Sequence, residues 1–478
     1  MGLYLAIDLG TTGCRSIIYD DNLQNISAEY EEYELITPKE NFVEQNAEKW
    51  WEMTLRTAMK AIERAGIDGK DIESISISSQ GITIVPVDED AKPLCNALSW
   101  LDTRAETETQ QIDKDFTADR IYALTGKALI SAYSLPKILW LKENKPEIYD
   151  GAYKLLMPMD YLLAKFTGVF ATDYSMASGT LMLDLKNLCW SDEILDFYRI
   201  SKEKLPTLLG AGEKVGVVLP SVAEQLGLKQ DCIVAMGAQD QKCAAYGAGL
   251  KDGVMTISLG TSAAITKHWK QAHTEKNCGV GWCGYADDES FVTEGVIATA
   301  GTSLRWIRDI YFKNESYKII DEEAKAVMEK GSELLFYPFL AGASSPFYYP
   351  ESTGVFYGIN LGTCRGDFAL AVMEGIAFQI REILEVMEAY GNVHTVILFG
   401  GGAKSKLWAQ IIADVTGMNI YTTNDPEAAG AGAAMLAAKA VGKQLKPLAL
   451  SKPYIPENAE KYNKKYHKYI RFEKNLWA

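Results

Sequence analysis

Residues 5–20 read LAIDLGTTGCRSIIYD. The apolar run into Ile7 has the length and composition of a buried strand. It ends at an acid, Asp8, and a loop of small residues follows: Gly10, Thr11, Thr12 and Gly13. RSIIYD beyond the loop reads as a second strand, not a helix. Such a loop suits phosphate, because glycine removes the steric barrier to a close anion and the amides and hydroxyls become donors. It is neither G-x-x-x-x-G-K-[ST] nor G-x-G-x-x-G, the phosphate loops that open helices. An ordinary hairpin turn would use the same residue types. Residues 254–268, VMTISLGTSAAITKH, repeat the pattern half a chain later, with Gly260, Thr261 and Ser262 in the turn. The repeat predicts two similarly built halves, each opening on such a loop.

Between the two copies, strand and helix patterns alternate. SISISSQ (74–80) and IVAMGA (233–238) read as strands, and 50–64 and 428–441 as helices. A third glycine turn, Gly400 to Ala403, follows a strand at 396–399 and enters an amphipathic helix with Leu407, Ile411, Ile412 and Val415 on one face. Mixed α/β architecture in two halves follows, with the boundary in the Gly-rich segment 244–253.

The 478-residue chain is ordinary in composition, 47% hydrophobic and 23% charged, with a formal net charge of −15. That balance argues against nucleic acid or an anionic membrane as partner. No apolar stretch reaches the roughly 18 residues of a spanning helix, and no leader pattern is present. Eight scattered cysteines fit a reducing compartment. A cytoplasmic protein is expected. The close pair Cys278 and Cys283 lacks a ligand-rich partner segment and reads as loop or core thiols. The four histidines form no cluster. The tyrosines and lysines of 458–478 predict a surface helix docked by its aromatics.

Several segments together resemble the FGGY carbohydrate kinases over essentially the whole chain. SLPKILWLKEN (134–144) is similar to the family's first signature, with Ala132 a departure at its opening position. GVFYGINLGTCRGDFALAVME (354–374) matches the second. DYSMASGTLMLDL (173–185), WLDTR (100–104) and FGGGAKS (399–405) are similar to the xylulokinase branch. The resemblance implies two actin-like, ribonuclease H-like domains, 1–247 and 248–478, with the active site between them. It implies transfer of the γ-phosphoryl of ATP to a hydroxyl of a small sugar or polyol, with Mg²⁺. A homodimer is compatible with it. An actin-like ATPase without sugar kinase activity is the reading from another class. A catalytically dead sugar-binding regulator is a third, and retention of Asp8, Asp240 and both threonine loops argues against it.

Such a transfer needs positioning, charge neutralisation and a proton acceptor. Gly10, Thr11, Thr12, Gly260 and Thr261 are expected on the phosphates, with Arg15 as a cation for a phosphate oxygen. An acid beside phosphates is repulsive unless a cation intervenes, so Asp8 is expected on Mg²⁺; a turn-stabilising Asp is the alternative. The family's catalytic base matches Asp240, at a strand-to-helix junction where an N-cap would also explain an acid. Gly401, Gly402, Ala403 and Lys406 are expected on the nucleoside, and Gly301 matches another nucleotide-side glycine of the family.

For the sugar, the two family positions after Gln80 are Gly81 and Ile82, which match neither the Arg-Glu of glycerol kinases nor the Met-His of xylulokinases. Gly81 makes room and Ile82 offers no hydrogen bond. Gln80, Trp100 and Asp240 are then expected to meet the hydroxyls, since each unpaired buried polar group costs about 1–3 kcal/mol. The expected substrate is a ketopentose such as xylulose, with erythritol, L-xylulose, glycerol and gluconate as alternatives. Ala343 and Ser344 replace the family's usual charged pair, a change expected to act on domain closure.

Overall fold

The computed structural model describes every residue except 1, 275–278, 287–289, 348, 350, 390, 392, 426 and 478. Cys278, and with it the cysteine pair, lies outside the described residues. The opening motif forms β1 (Leu3–Leu9) and β2 (Gly13–Asp20), an antiparallel hairpin. β3 (Asn25–Glu32) extends the hairpin. β4 (Ile72–Ser79) then pairs parallel to β1, after a crossover through α1 (Ala47–Ala65). Asn46 caps α1 by accepting the backbone N–H groups of Glu48 and Lys49, and Trp50, Ala58 and Ala61 bury its inner face. β5 (Lys214–Val217) and β6 (Ile233–Gln239) complete a sheet of order β5-β6-β4-β1-β2-β3, with β6 parallel to β4.

The second copy repeats this plan. β7 (Val254–Leu259) and β8 (Ala263–Trp269) form the hairpin. β9 (Gly281–Gly284) and β10 (Phe291–Ile297) extend it, and β11 (Thr395–Phe399) and β12 (Ile420–Thr422) add parallel strands on the other side of β7. The order is β9-β10-β8-β7-β11-β12. Stripped of their edge strands β5 and β9, both sheets carry an antiparallel meander followed by two parallel strands. The motif repeat in the sequence is therefore a repeat of sheet topology, and the fold is the two-domain actin-like one.

One helix crosses this division. α2 (Asp240–Gly247) leaves the end of β6, and α7 (Ala428–Ala440) comes from the second half of the chain. α7 nevertheless packs on β1, β4 and β6 of the first sheet, and Ser74 Oγ donates to the Ala437 carbonyl at 2.7 Å. α2 and α7 meet through small residues. A Cβ on Gly432 would lie 1.9 Å from the Cys243 carbonyl oxygen, and one on Gly247 would lie 2.3 Å from that of Ala428. Only glycine permits that approach.

The C-terminal tail forms α8 (Ala459–Trp477), which buries Tyr462, Tyr466 and Tyr469. Tyr469 stacks on Tyr337, with ring centroids 4.4 Å apart. This is the aromatic docking that the tyrosine spacing predicts. Among the described residues no helix is long and apolar enough to cross a membrane.

A methyl group at the α2–α7 crossing must force two backbones apart. Gly432→Ala is expected to cost about 1–3 kcal/mol or more. Urea unfolding of the variant beside wild type measures it, and an unchanged midpoint would contradict the packing argument.

Candidate active site

Parallel strands end together. β1, β4 and β6 therefore deliver their C-terminal residues to one edge of the first sheet, facing the second domain. In register Asp8 pairs with Ser78, and Gln239 with Ser79. Asp8 and Asp240 thus flank the end of β4. Ser78 Oγ donates to Asp8 Oδ1 at 2.9 Å. Asp240 is the first residue of α2, not its cap. Gln239 takes the cap role, its side-chain oxygen accepting from Gln241 N. The Asp240 carboxylate accepts from the Gln239 amide and, at 2.6 Å, from Gln241 N.

Both acids keep some exposure to the cleft yet are surrounded by protein. Desolvation pushes Asp8 up to about 6, against the lowering effect of Ser78 and with Glu427 adding to the rise. Desolvation, followed by the charge of Asp8, pushes Asp240 up to about 7. Lys242, the next cation, works in the opposite direction. Among the described residues neither acid has an ion-pair partner. The pair is an anionic centre short of a cation, which fits a divalent ion at Asp8.

The two glycine loops close in related ways, the first over four residues and the second over three. Gly10 N donates to Gly13 O at 2.9 Å, and Gly260 N donates to Ser262 O at 2.9 Å. Thr11 is held from two sides: Gln45 donates to its carbonyl at 2.6 Å and the Trp100 indole to its hydroxyl at 2.9 Å. Gln80 belongs to the same network through Gln45 at 3.1 Å, and among the described residues its buried Oε1 has no hydrogen-bond partner. Lys137, fully buried, donates to Ser99 O at 2.6 Å and so fixes the backbone that carries Trp100.

Gly81 and Ile82 sit beside this network. A Cβ on Gly81 would meet Gln239 Cγ at 3.1 Å, so its smallness leaves room for the side chain before Asp240. Ile82 has φ +70°, a left-handed conformation that costs a β-branched residue energy. Thr83 N→Gly81 O at 2.7 Å closes the turn around it, and Ser134 Oγ holds its carbonyl at 2.8 Å.

On the other side of the cleft lies a cavity of about 920 Å³. It brings together Gly260, Thr261, Gly301, Gly401, Gly402 and Lys406 of the expected nucleotide residues. Ala403 falls in the same turn, Gly401–Lys404, without lining the cavity. Gly301 opens α3 (Gly301–Tyr311), and a Cβ there would lie 2.4 Å from the Gly260 carbonyl oxygen. That contact closes the second loop against α3. The cavity also takes Arg305, and Lys318 and Asp321 of α4 (Tyr317–Lys330), which the sequence reading passes over. Nothing in their spacing marks them, because α4 is brought to the cavity by tertiary packing alone.

Arg15 departs from the expectation. Its guanidinium pairs with Glu427, at the start of α7, and lies over the Tyr30 ring at 5.1 Å. It is therefore engaged in holding the two halves together. Two further contacts cross between the domains and are invisible in sequence. Lys242 of α2 pairs with Glu294 of β10 at 2.7 Å, and Lys127 donates to Cys283 of β9 at 2.7 Å. Burial alone would raise Glu294, yet Lys242 and Lys127 hold it below the usual carboxylate range. Of the replaced charged pair, Ser344 donates to Val296 O at 3.0 Å and Ala343 pairs with Tyr349.

A cleft between two duplicated sheets, with paired acids on one wall and a glycine-lined cavity on the other, defines a two-domain phosphotransferase of the actin-like fold. Residues 3–247 match the N-terminal domain, and residues 255–441 the C-terminal domain, of the FGGY family of carbohydrate kinases, and the chain belongs to that family. It is a sugar kinase. It is 32% identical to the xylulose kinase of Bacillus subtilis (strain 168), with 100% of this chain and 97% of that protein covered. The ligand-bound xylulose kinase from Lactobacillus acidophilus superposes with a TM-score of 0.92 at 25% identity, covering 100% of this chain and 98% of that one. The gluconate kinase from the same organism has a TM-score of 0.92 at 25% identity, over 99% and 98% of the two chains.

Gly301→Ala forces its methyl onto the Gly260 carbonyl. The variant is expected to fold but to bind nucleotide at least about tenfold more weakly, by the usual cost of overpacking. Calorimetric titration with ADP reads the difference.

Proposed function

We propose that this kinase transfers the γ-phosphoryl of ATP to a hydroxyl of a ketopentose, xylulose being the first to test. The placement of Asp240 carries the reading: a desolvated acid at the first position of α2, at the cleft edge beside the first glycine loop. The reactions named for the full-length relatives support the substrate class. The division of labour proposed is that 1–247 binds the sugar and supplies the base, and 248–478 binds the nucleotide.

Asp240, ionised, accepts the proton of the attacking hydroxyl as the oxygen approaches phosphorus. Thr11, Thr12, Gly260 and Thr261 hold the phosphates from both sides, their amides and hydroxyls facing the charge that develops on the equatorial oxygens. Gly10 shapes the first loop. Gly401, Gly402, Ala403 and Lys406 line the nucleoside end. Asp8 is the residue that would hold Mg²⁺, with Ser78 fixing its orientation. The ion, when bound, neutralises phosphate charge. Gln80, with its unmet buried oxygen, meets a sugar hydroxyl, Trp100 offers the sugar its ring face while its N–H stays on Thr11, and Gly81 and Ile82 shape the pocket without hydrogen bonding. Closure of the two domains expels water, so that the phosphoryl goes to the sugar.

The base works only when ionised. With Asp240 pushed up to about 7, kcat/KM for the sugar is expected to fall about tenfold per unit below that pH. A profile flat down to about pH 5 would argue against Asp240 as the base. Asp240→Asn is expected to leave folding intact and reduce kcat by at least about a thousandfold. A panel of xylulose, L-xylulose, erythritol, glycerol and gluconate in an ADP-release assay tests the substrate. Clear preference for gluconate or glycerol would overturn the ketopentose assignment without touching the role of Asp240.

A further inference from the structure

A second cavity, of about 740 Å³, opens where α5 (Arg365–Glu388) and α8 meet Pro346, Phe347 and Tyr349. It shares no lining residue with the nucleotide cavity. Two carboxyls lie in it, Glu382 from α5 and Glu473 from α8, each only 6% exposed. The two carboxyls share a side-chain hydrogen bond, and among the described residues the buried Glu382 Oε2 has no further partner. Glu385, one turn further along α5, is already engaged by Arg381 at 2.9 Å and by the Tyr466 hydroxyl at 2.8 Å. Phe347, Tyr349 and Ile470 give the rest of the wall an apolar and aromatic part, and His467 and Lys474 also line it.

The phosphoryl transfer makes no use of this pair. Burying two carboxyls together costs stability, and apolar residues of similar size would pack the same space more favourably. Burial, reinforced by the charge of Glu473, pushes Glu382 up to about 10. Glu473 is also raised, chiefly by burial. The pair therefore holds one shared proton near neutral pH.

We propose that this cavity binds a small organic cation, a primary amine on an apolar or aromatic body. Its ammonium meets Glu382 and Glu473, and its body lies against Phe347, Tyr349 and Ile470. The aromatic faces favour a cation over a neutral group of the same shape. An alcohol could not supply the charge that two buried carboxylates need. A metal ion fits less well, since among the described residues no group of three or more His, Cys, Asp or Glu side chains is arranged to hold one. When the ammonium arrives, the shared proton leaves to solvent: ammonium plus protonated pair gives the complex plus one H⁺. Binding therefore tightens as pH rises until the amine itself deprotonates. The other titratable groups facing the cavity are Glu385 and Tyr349, with Tyr466, His467 and Lys474 on α8. His467 and Lys474, when protonated, oppose the ligand's charge, so the dependence on Glu382 is read from a variant and not from pH alone.

Calorimetric titration of the full-length protein with 2-phenylethylamine, and with 2-phenylethanol as its neutral counterpart, tests the proposal. Saturable binding of the amine, at least about tenfold tighter than the alcohol, is expected from a charge-assisted contact. Proton release is expected when the titration is repeated in buffers of different ionisation enthalpy. Glu382→Gln and Glu473→Gln are each expected to weaken amine binding at least about tenfold while sugar phosphorylation continues. Absence of saturable amine binding, equal affinity for the alcohol, or wild-type amine affinity in both variants would overturn it. If a variant fails to fold, the comparison of amine with alcohol and the proton release decide the matter.

Discussion

The close crossing of α2 and α7 is the contact on which the molecule depends. Gly432 packs against the Cys243 carbonyl and Gly247 against that of Ala428. Small residues let two backbones approach where ordinary side chains would hold them apart. α2 begins at Asp240, and α7 begins just after Glu427, which holds Arg15 beside the first glycine loop. The crossing that joins the two halves therefore also sets where the acid stands relative to the phosphate loops. A shift of either helix along the other would move the chemistry with it.

A second constraint acts through charge. Asp8 and Asp240 share a poorly hydrated cleft edge; burial raises both, and the charge of Asp8 raises Asp240 further. Neither position favours stability, because desolvated carboxylates near each other cost energy. Such perturbed groups concentrate at reactive sites for the same reason that makes them costly. A proton acceptor poised near neutrality is more useful to a hydroxyl than a fully hydrated carboxylate. The Lys242–Glu294 pair tempers that cost, bringing a cation from the helix that begins at Asp240 to meet an acid of the opposite domain.

The fold was largely legible in the chain because it is written twice. The strand, glycine turn and strand of 5–20 recur at 254–268, and apart from one edge strand each the sheets built on them have the same order. Apolar periodicity located α1, α7 and the helix after the third glycine turn within a few residues. The residues expected on the nucleotide were legible where they lie in glycine turns, since a close backbone approach demands a recognisable residue type. Lys318 and Asp321 were not, because only the packing of α4 brings them there. The engagement of Arg15 by Glu427 was hidden for the same reason: 412 positions separate the two, and sequence spacing says nothing of such pairs. For Asp240 the structure removes the competing N-cap explanation. The neighbouring Gln239 caps the helix, which a preference for acids at that position conceals.

The position of α7 has a consequence for synthesis. The first sheet is made from the first half of the chain, yet one of its faces is covered by residues 428–440. As the polypeptide leaves the ribosome, β1, β4 and β6 emerge long before the helix that shields them. The early half must wait with an apolar face uncovered, and that surface invites association with other nascent chains. Maturation of the first domain is thus tied to arrival of the last, so a prematurely terminated chain would leave neither a finished first domain nor an innocuous fragment.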